Sequence, residues 1–307
     1  MSACYGLRAA QVSIGMPVFN KASVLHRSID AILSQSYANL ELVISDNGST
    51  DDTETLCRRY HHLDSRIKYF RQPKNIGAIA NFQFCLDNSL GEYFMWCPSD
   101  DVISQDYLKT CIASLATDVS IVLVAGLASY ADKLGRIASG NCTQLTHSSG
   151  IARVLKYFRQ VSDNGVFYGV YRRPALADCV LKNMMGADWL WLAEVAYLGK
   201  VRTITTISMR RDDSWSNTTP ERYYAGLAHT LGARAAFTRF PRVATAVGIG
   251  VSIYSNSAVF AAIPGPKRLL LSILVMSILS FKAAYALCRR RLGRLVRAFG
   301  LRRDSLP

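Results

Sequence analysis

Apolar residues come in short blocks along the first hundred positions, and a polar cluster follows nearly every block. Val12–Val18 is such a block, and its length and setting predict a buried strand. Within 23–36, Val24, Leu25, Ile29, Ile32 and Leu33 share one helical face. Residues 40–45 (LELVIS) predict a second strand, followed by the polar turn 46–52, a helix over 53–60 and a third strand over 67–71. A helix over 75–90 and a strand over 93–97 complete the series, which ends at Pro98, Ser99, Asp100 and Asp101. Short apolar strands alternating with helices predict an α/β fold, a mostly parallel sheet with helices on both faces. Ligands of such sheets bind beyond the carboxyl ends of the strands. Asn20, the 46–52 turn and Asp100–Asp101 all fall there.

The second half is less regular. The pattern predicts a helix over 107–115, a strand over 121–125, a polar loop open to a hairpin over 131–149 and a strand over 165–171 (GVFYGVY). Helices over 174–181 and 188–197, a β-branched strand over 201–209 and a polar segment over 210–220 follow. Two apolar stretches, 243–263 and 269–287, are separated by Pro264-Gly265-Pro266, and the second is interrupted by Lys282. Both are borderline for crossing a bilayer. A helical hairpin, an interfacial anchor and helices covering the sheet all fit. The domain reading is 1–242 as one unit with two halves, 12–110 and 111–242. Residues 243–307 form a C-terminal helical, apolar and basic tail.

Charge sharpens the reading of that tail. The chain has 307 residues and a net charge of +14, from 36 Lys+Arg against 22 Asp+Glu. Arg289, Arg290, Arg291, Arg294, Arg297, Arg302 and Arg303 crowd the end. A basic cluster beside an apolar stretch points to an anionic membrane surface and away from nucleic acid. The eight cysteines show no CxxC spacing and read as reduced core thiols. No secretory signal is read at residues 1–11, and the Asn47, Asn141 and Asn217 glycosylation triplets read as chance.

Two adjacent carboxylates at a strand end repel each other unless a cation joins them. Asp100 and Asp101 therefore suggest a Mg²⁺ or Mn²⁺ site holding a diphosphate, against the plainer reading of Asp101 as a helix N-cap. Asp46 reads as a ligand contact, with Ser49, Thr50 and Asp51 capping the next helix. Trp189 and Trp191 read as core, and Trp215, in a polar segment, as an acceptor contact.

Taken together, the blocks 12–20 (VSIGMPVFN), 33–37, 41–51 (ELVISDNGSTD), Asn75-Ile76-Gly77 with Asn81, and 91–93 before Ser99-Asp100-Asp101 resemble the opening of the family 2 glycosyltransferases. The likeness covers about residues 12–110, with a weaker extension through 168–173, 186–188 and Arg210–Arg211. It implies a GT-A nucleotide-sugar fold. Pro17, Asn20 and Asp46 then match positions holding the base and ribose, and Asn75, Gly77 and Asn81 match the stretch beside the nucleotide. Asp100 and Asp101 match the sugar-diphosphate and metal ligands, and Asp188 matches the catalytic base, with its own rival reading as an N-cap. Arg210 and Arg211 would clamp the diphosphate. Relatives carry a longer acidic run before the metal aspartates and often a His after the last strand; Pro98-Ser99 and Arg210-Arg211-Asp212-Asp213 depart from both patterns.

The expectation is an inverting, metal-assisted glycosyltransferase on the cytoplasmic side of the cell membrane. It would use a nucleotide-sugar donor, taken as a uridine diphosphate sugar, and a glycan or lipid-linked acceptor. A dinucleotide-binding dehydrogenase and a P-loop enzyme are excluded by the absence of their glycine motifs. A nucleotidyltransferase and a non-catalytic membrane scaffold are the remaining rivals.

Overall fold

The computed structural model describes residues 12–131, 137–212 and 241–298. Eight strands form one path in the order β3-β2-β1-β4-β9-β6-β10-β5, with β7 beside β6 and β8 beside β10. β1 (Val12–Val18), β2 (Leu40–Asp46), β3 (Ile67–Arg71) and β4 (Tyr93–Trp96) are parallel neighbours. β1, β2 and β4 are buried at every position, as continuous apolar runs require when helices cover both faces of a sheet. β9 (Val170–Arg172) runs antiparallel to both β4 and β6 (Ile121–Ala131). β10 (Lys200–Asp212) is parallel to β6. The carboxyl ends of β1, β2, β4, β6 and β10 therefore share one edge of the sheet.

On one face lie α1 (Leu25–Leu33), α2 (Thr53–Leu63) and α4 (Tyr107–Thr117), joined to the sheet through residues such as Ile29, Cys57 and Leu108. On the other lie α3 (Ala78–Asp87), α5 (Gly150–Gln160) and α6 (Ala187–Leu198) around Phe94, Trp96, Tyr171 and Trp191. α6 buries eight of its twelve residues, so it shows no stripe and reads as a central helix. The Arg153 guanidinium of α5 donates to the Ala196 and Tyr197 carbonyls at 2.6 and 2.8 Å, satisfying the end of α6.

Several expectations need correction. Residues 165–168 form a 3₁₀ turn, and only 170–172 pair as a strand. The helix expected over 174–181 is a single 3₁₀ turn, Arg173–Leu176. α5 occupies a stretch to which the apolar pattern assigns nothing. The loop expected over 131–149 carries β7 (Ile137–Ser139) and β8 (Gln144–Leu145). Between Ile204 and Ser208 β10 bulges away from β6. Gly126 faces that bulge, where a Cβ would sit 2.8 Å from the Ile207 carbonyl oxygen and 2.5 Å from the Tyr107 ring. Beyond the bulge β10 continues to Asp212 and pairs with β5 (Val102–Ile103).

The tail is integral to the core. α7 (Pro241–Val251), a π-helical turn over 252–256, α8 (Ala258–Ala261) and α9 (Gly265–Ala298) follow in order. Ala246, Ile249, Phe260, Leu271 and Val275 join the same apolar cluster as Trp191. Of the three readings for 243–287, helices covering the sheet describe the inner faces.

Candidate active site

Three loops meet beyond β1, β2 and β3. Asn20 takes a positive φ of 51°, which Asn tolerates better than most residues. Its amide donates to Ser49 Oγ at 2.9 Å, and its side-chain oxygen accepts from Thr50 N at 2.8 Å. Ser49 and Thr50 thus tie the first loop to the second instead of capping α2, while Asp51 Oδ1 accepts from Thr53 N at 3.0 Å. Asp46 is fully buried; it accepts from Ser49 N and from the Tyr69 hydroxyl, both at 2.9 Å. Asn47 Oδ1 accepts from Ile76 N at 2.8 Å, and Asn75 Oδ1 accepts from Gly77 N at 2.9 Å. Gly77, at φ 88°, opens α3.

Pro17 and Asn81 lie deeper. Pro17 is buried in β1 opposite Ser45. Asn81 is 2% exposed and spends its amide on Ser45, donating to the carbonyl at 2.9 Å and accepting from the hydroxyl at 2.6 Å. It pins α3 to β2 and shapes the nucleotide loops from beneath.

The acidic centre follows β4. Asp101 leads into β5, not into a helix, so it is not an N-cap. It is 2% exposed, and its Oδ2 accepts from Arg211 Nε at 2.9 Å. Asp100 pairs with the Lys21 ammonium at 2.6 Å. Strand alternation separates the two arginines: Arg210 is exposed beside Val102, and Arg211 turns inward, its guanidinium 4.3 Å from the Tyr168 ring centroid. Burial pushes the Tyr168 hydroxyl up to about 12, against the pull of Arg211, and Asp101, Asp188 and Asp100 add to the rise. Arg211 thus lies over the Tyr168 ring, and the three carboxylates act electrostatically on its hydroxyl.

Asp188 lies in the first turn of α6. The N-cap is Gly186, in the left-handed region at φ 76°, so the rival reading of Asp188 as the cap does not hold. Asp188 Oδ2 accepts from Asn164 Nδ2 at 2.6 Å, and Asn164 Oδ1 accepts from the Tyr157 hydroxyl at 2.9 Å. Desolvation raises the Asp188 carboxyl above its ordinary value; Asn164, the Trp189 amide and Arg211 oppose the rise. Glu194, also on α6, faces Ser257 and Lys182 instead. Trp191 is core, 1% exposed, and Trp189 packs partly buried beside it. Trp215 lies outside the described residues, as does Asp213.

Lys21, Tyr157 and Asn164 were not legible as site residues, since nothing in their local sequence marks them, and Tyr168 stood in the weaker extension of the resemblance with no role assigned. The metal implied by the family resemblance can be tested against the donors present. Asp100 and Asp101 are hard oxygen donors of the kind Mg²⁺ and Mn²⁺ prefer. Among the described residues no cluster of three His, Cys, Asp or Glu side chains gathers there. The two carboxylates fit a metal that takes its remaining ligands from diphosphate oxygens and water, and Lys21 and Arg211 would compete with it.

This sheet, with its acidic edge, is the GT-A fold of nucleotide-sugar transferases. Staphylococcus aureus TarS 1-349 superposes with a TM-score of 0.61 at 16% identity, covering 87% of this chain and 71% of that one. TarS has also been solved with UDP-GlcNAc (TM-score 0.55, 18% identity, 86% and 79% covered). The Pyrobaculum calidifontis mannosyltransferase PcManGT, in complex with GDP-Man and Mn²⁺, superposes at 0.54 with 15% identity, covering 94% and 81%. The sequence profile of Glycosyl transferase family 2 matches residues 13–180, more than half of the chain. The chain belongs to the family 2 glycosyltransferases. It is 28% identical over 177 residues to glycosyltransferase GlyA of Streptococcus pneumoniae, covering 57% of this chain and 24% of GlyA. It is also 28% identical over 169 residues to the GalNAc(5)-diNAcBac-PP-undecaprenol beta-1,3-glucosyltransferase of Campylobacter jejuni, covering 55% and 53%. The chain thus spans about a quarter and about half of these relatives' lengths.

Proposed function

We propose that this protein is an inverting glycosyltransferase that moves a sugar from a uridine diphosphate sugar to an acceptor hydroxyl. The observation that carries the reading is the acidic centre built on Arg211, which bonds to the buried Asp101, lies over the Tyr168 ring and acts electrostatically on Asp188. The nucleotide would lie over the Asn20, Asp46 and Asn75–Gly77 loops, with its diphosphate toward Lys21 and Arg211. Asp100 and Asp101 would hold the Mg²⁺ or Mn²⁺, which supplies positive charge for the diphosphate. Asp188 takes the acceptor hydroxyl proton. The acceptor oxygen then bonds to the anomeric carbon on the face opposite the diphosphate. The anomeric carbon–oxygen bond breaks, and its electron pair leaves with the diphosphate. A carboxylate raised by burial is suited to this base role. Trp215 is the assigned acceptor contact and Arg210 a second diphosphate contact.

The acceptor class is a lipid-linked or cell-surface glycan, at the cytoplasmic side of a membrane. The Campylobacter jejuni relative named for an undecaprenol-linked substrate supports this, as does the apolar and basic tail. The test is Asp188→Asn. It should lower kcat by about 10²–10⁴-fold while the nucleoside diphosphate still raises the melting midpoint. Transfer at the wild-type rate would sink the assignment.

A further inference from the structure

Between Arg242 and Arg289 the chain has only three charged side chains: Lys267, Arg268 and Lys282. Eleven of the nineteen large apolar side chains exposed among the described residues lie in this segment. On α7, Val243, Val247 and Val251 are each 48% exposed, one per turn. On α9, Leu270, Ile273 and Phe281 are 57, 46 and 74% exposed. The opposite sides of both helices are buried in the catalytic core, through Ile249 on α7 and Leu271, Val275 and Leu279 on α9. A concentrated apolar patch of this kind marks an interaction surface.

The two helices run antiparallel. The Arg268 guanidinium lies 5.6 Å from the Tyr254 ring centroid, and Ser272 Oγ donates to the Gly250 carbonyl at 2.7 Å. Lys282 does not face outward. Its ammonium donates to the Phe158 carbonyl at 3.2 Å and to the Val161 carbonyl, at the end of α5. Arg159 and Gln160 are exposed at that same end.

These contacts decide how α9 can meet a bilayer. A crossing α9 would have Arg268 at one boundary and Arg289 at the other. Lys282 is seven residues from Arg289, so it would sit roughly 10 Å inside the second boundary. The end of α5 would go with it, taking the exposed Arg159 and Gln160 into hydrocarbon, where each is costly. With α9 lying flat, only its uncharged face enters the lipid and α5 stays in water. Basic residues flank the apolar stretch in sequence: Lys267 and Arg268 before it, then Arg289, Arg290, Arg291 and Arg294 after it. Such a distribution complements anionic headgroups.

We propose that α7 and α9 form an in-plane docking face for an anionic bilayer, with α9 lying along the interface and not crossing it. The proposal rests on the membrane-associated reading above and specifies its geometry. It also explains where the candidate site sits: a Cβ on Gly186, two residues before Asp188, would meet Thr245 of α7 at 2.7 Å. The base therefore adjoins the docking helices, on the side from which a lipid-linked acceptor would arrive.

The test uses the full chain with Cys4→Ser, Cys142→Ser and Cys288→Ser, labelled with a fluorophore at Leu270→Cys or Phe281→Cys. Binding is measured on phosphatidylcholine vesicles with and without phosphatidylglycerol, and depth with lipids quenched at defined positions. The expected result is binding that needs phosphatidylglycerol, weakens with salt, and places both labels at one shallow depth. Leu270→Glu and Phe281→Glu, at exposed positions, should each weaken binding roughly tenfold or more while the nucleoside diphosphate thermal shift persists. Binding in which the two labels differ in depth by roughly 16 Å along the helix, with resistance to alkaline carbonate, would overturn the in-plane geometry alone. No binding to either vesicle, with a stable dimer by sedimentation, would overturn it in favour of a second copy of this chain. No binding by a monomer that still takes nucleotide would overturn the membrane reading itself.

Discussion

Glu194 offers a direct check on how α6 and the C-terminal helices are joined. It is 1% exposed, and its Oε2 has no hydrogen-bond partner. Ser257, which caps α8, and Lys182 only partly offset its desolvation. Its carboxyl is accordingly pushed up from 4.5 to about 7. In the folded chain the group stays protonated between those values, whereas in the unfolded chain it ionises. The unfolded state therefore binds fewer protons in this window, and stability falls as pH rises through it. With 1.36 kcal/mol per unit, Glu194→Gln should gain about 2–3 kcal/mol on wild type between pH 5 and pH 8.5. The gain levels off above the folded pKa. Urea denaturation of both proteins across that range measures it. A difference that stays flat with pH, or one that favours wild type at high pH, would refute the desolvation argument.

Other outcomes follow from the same geometry. Asn164→Ala removes a donor that holds the Asp188 carboxyl down. A base works ionised, so the acid limb of the kcat/KM profile should move to higher pH; an unmoved limb would leave Asn164 without a positioning role. Arg211→Met breaks the ion pair with an Asp101 that is 2% exposed. Breaking a buried pair should cost about 3 kcal/mol in urea denaturation, and a loss under about 1 kcal/mol would mean water already reaches the pair. Gly186→Ala must hold a left-handed φ and crowd Thr245. It should lose at least about 1–2 kcal/mol in thermal denaturation, and Thr245→Ala in the same chain should restore part of the loss; no recovery would place all of the cost in the backbone.

Much of the first half was readable because its rules are local. A strand buried on both faces must be apolar throughout, so 12–18, 40–46 and 93–96 announce themselves. Asp100, Asp101 and Asp188 stand at strand and helix ends, where polar clusters are visible against apolar runs. The second half failed where the signal is ambiguous. An apolar run such as 165–171 fits a strand, a 3₁₀ turn or core packing equally, and only the space between β4 and β6 made its last two residues part of the antiparallel β9. α5 hides its pattern because Arg153 is buried as the cap of α6 and not exposed on the polar side.

The tail divides along the same line. Its apolar and basic composition was plain, and Lys282 stood out as an interruption. That Lys282 caps α5, so that the outer face of α9 is charge-free from Leu269 to Cys288, required coordinates. The sequence by itself determined the parallel sheet, its acidic edge and an apolar, basic end, because periodicity and composition act over a few residues. Only the tertiary structure decided that Arg211 meets Asp101 across 110 positions, that Asn164 holds Asp188, and that α7 backs onto Gly186. Charge pairing and close packing depend on distance in space, and the local pattern carries no record of it.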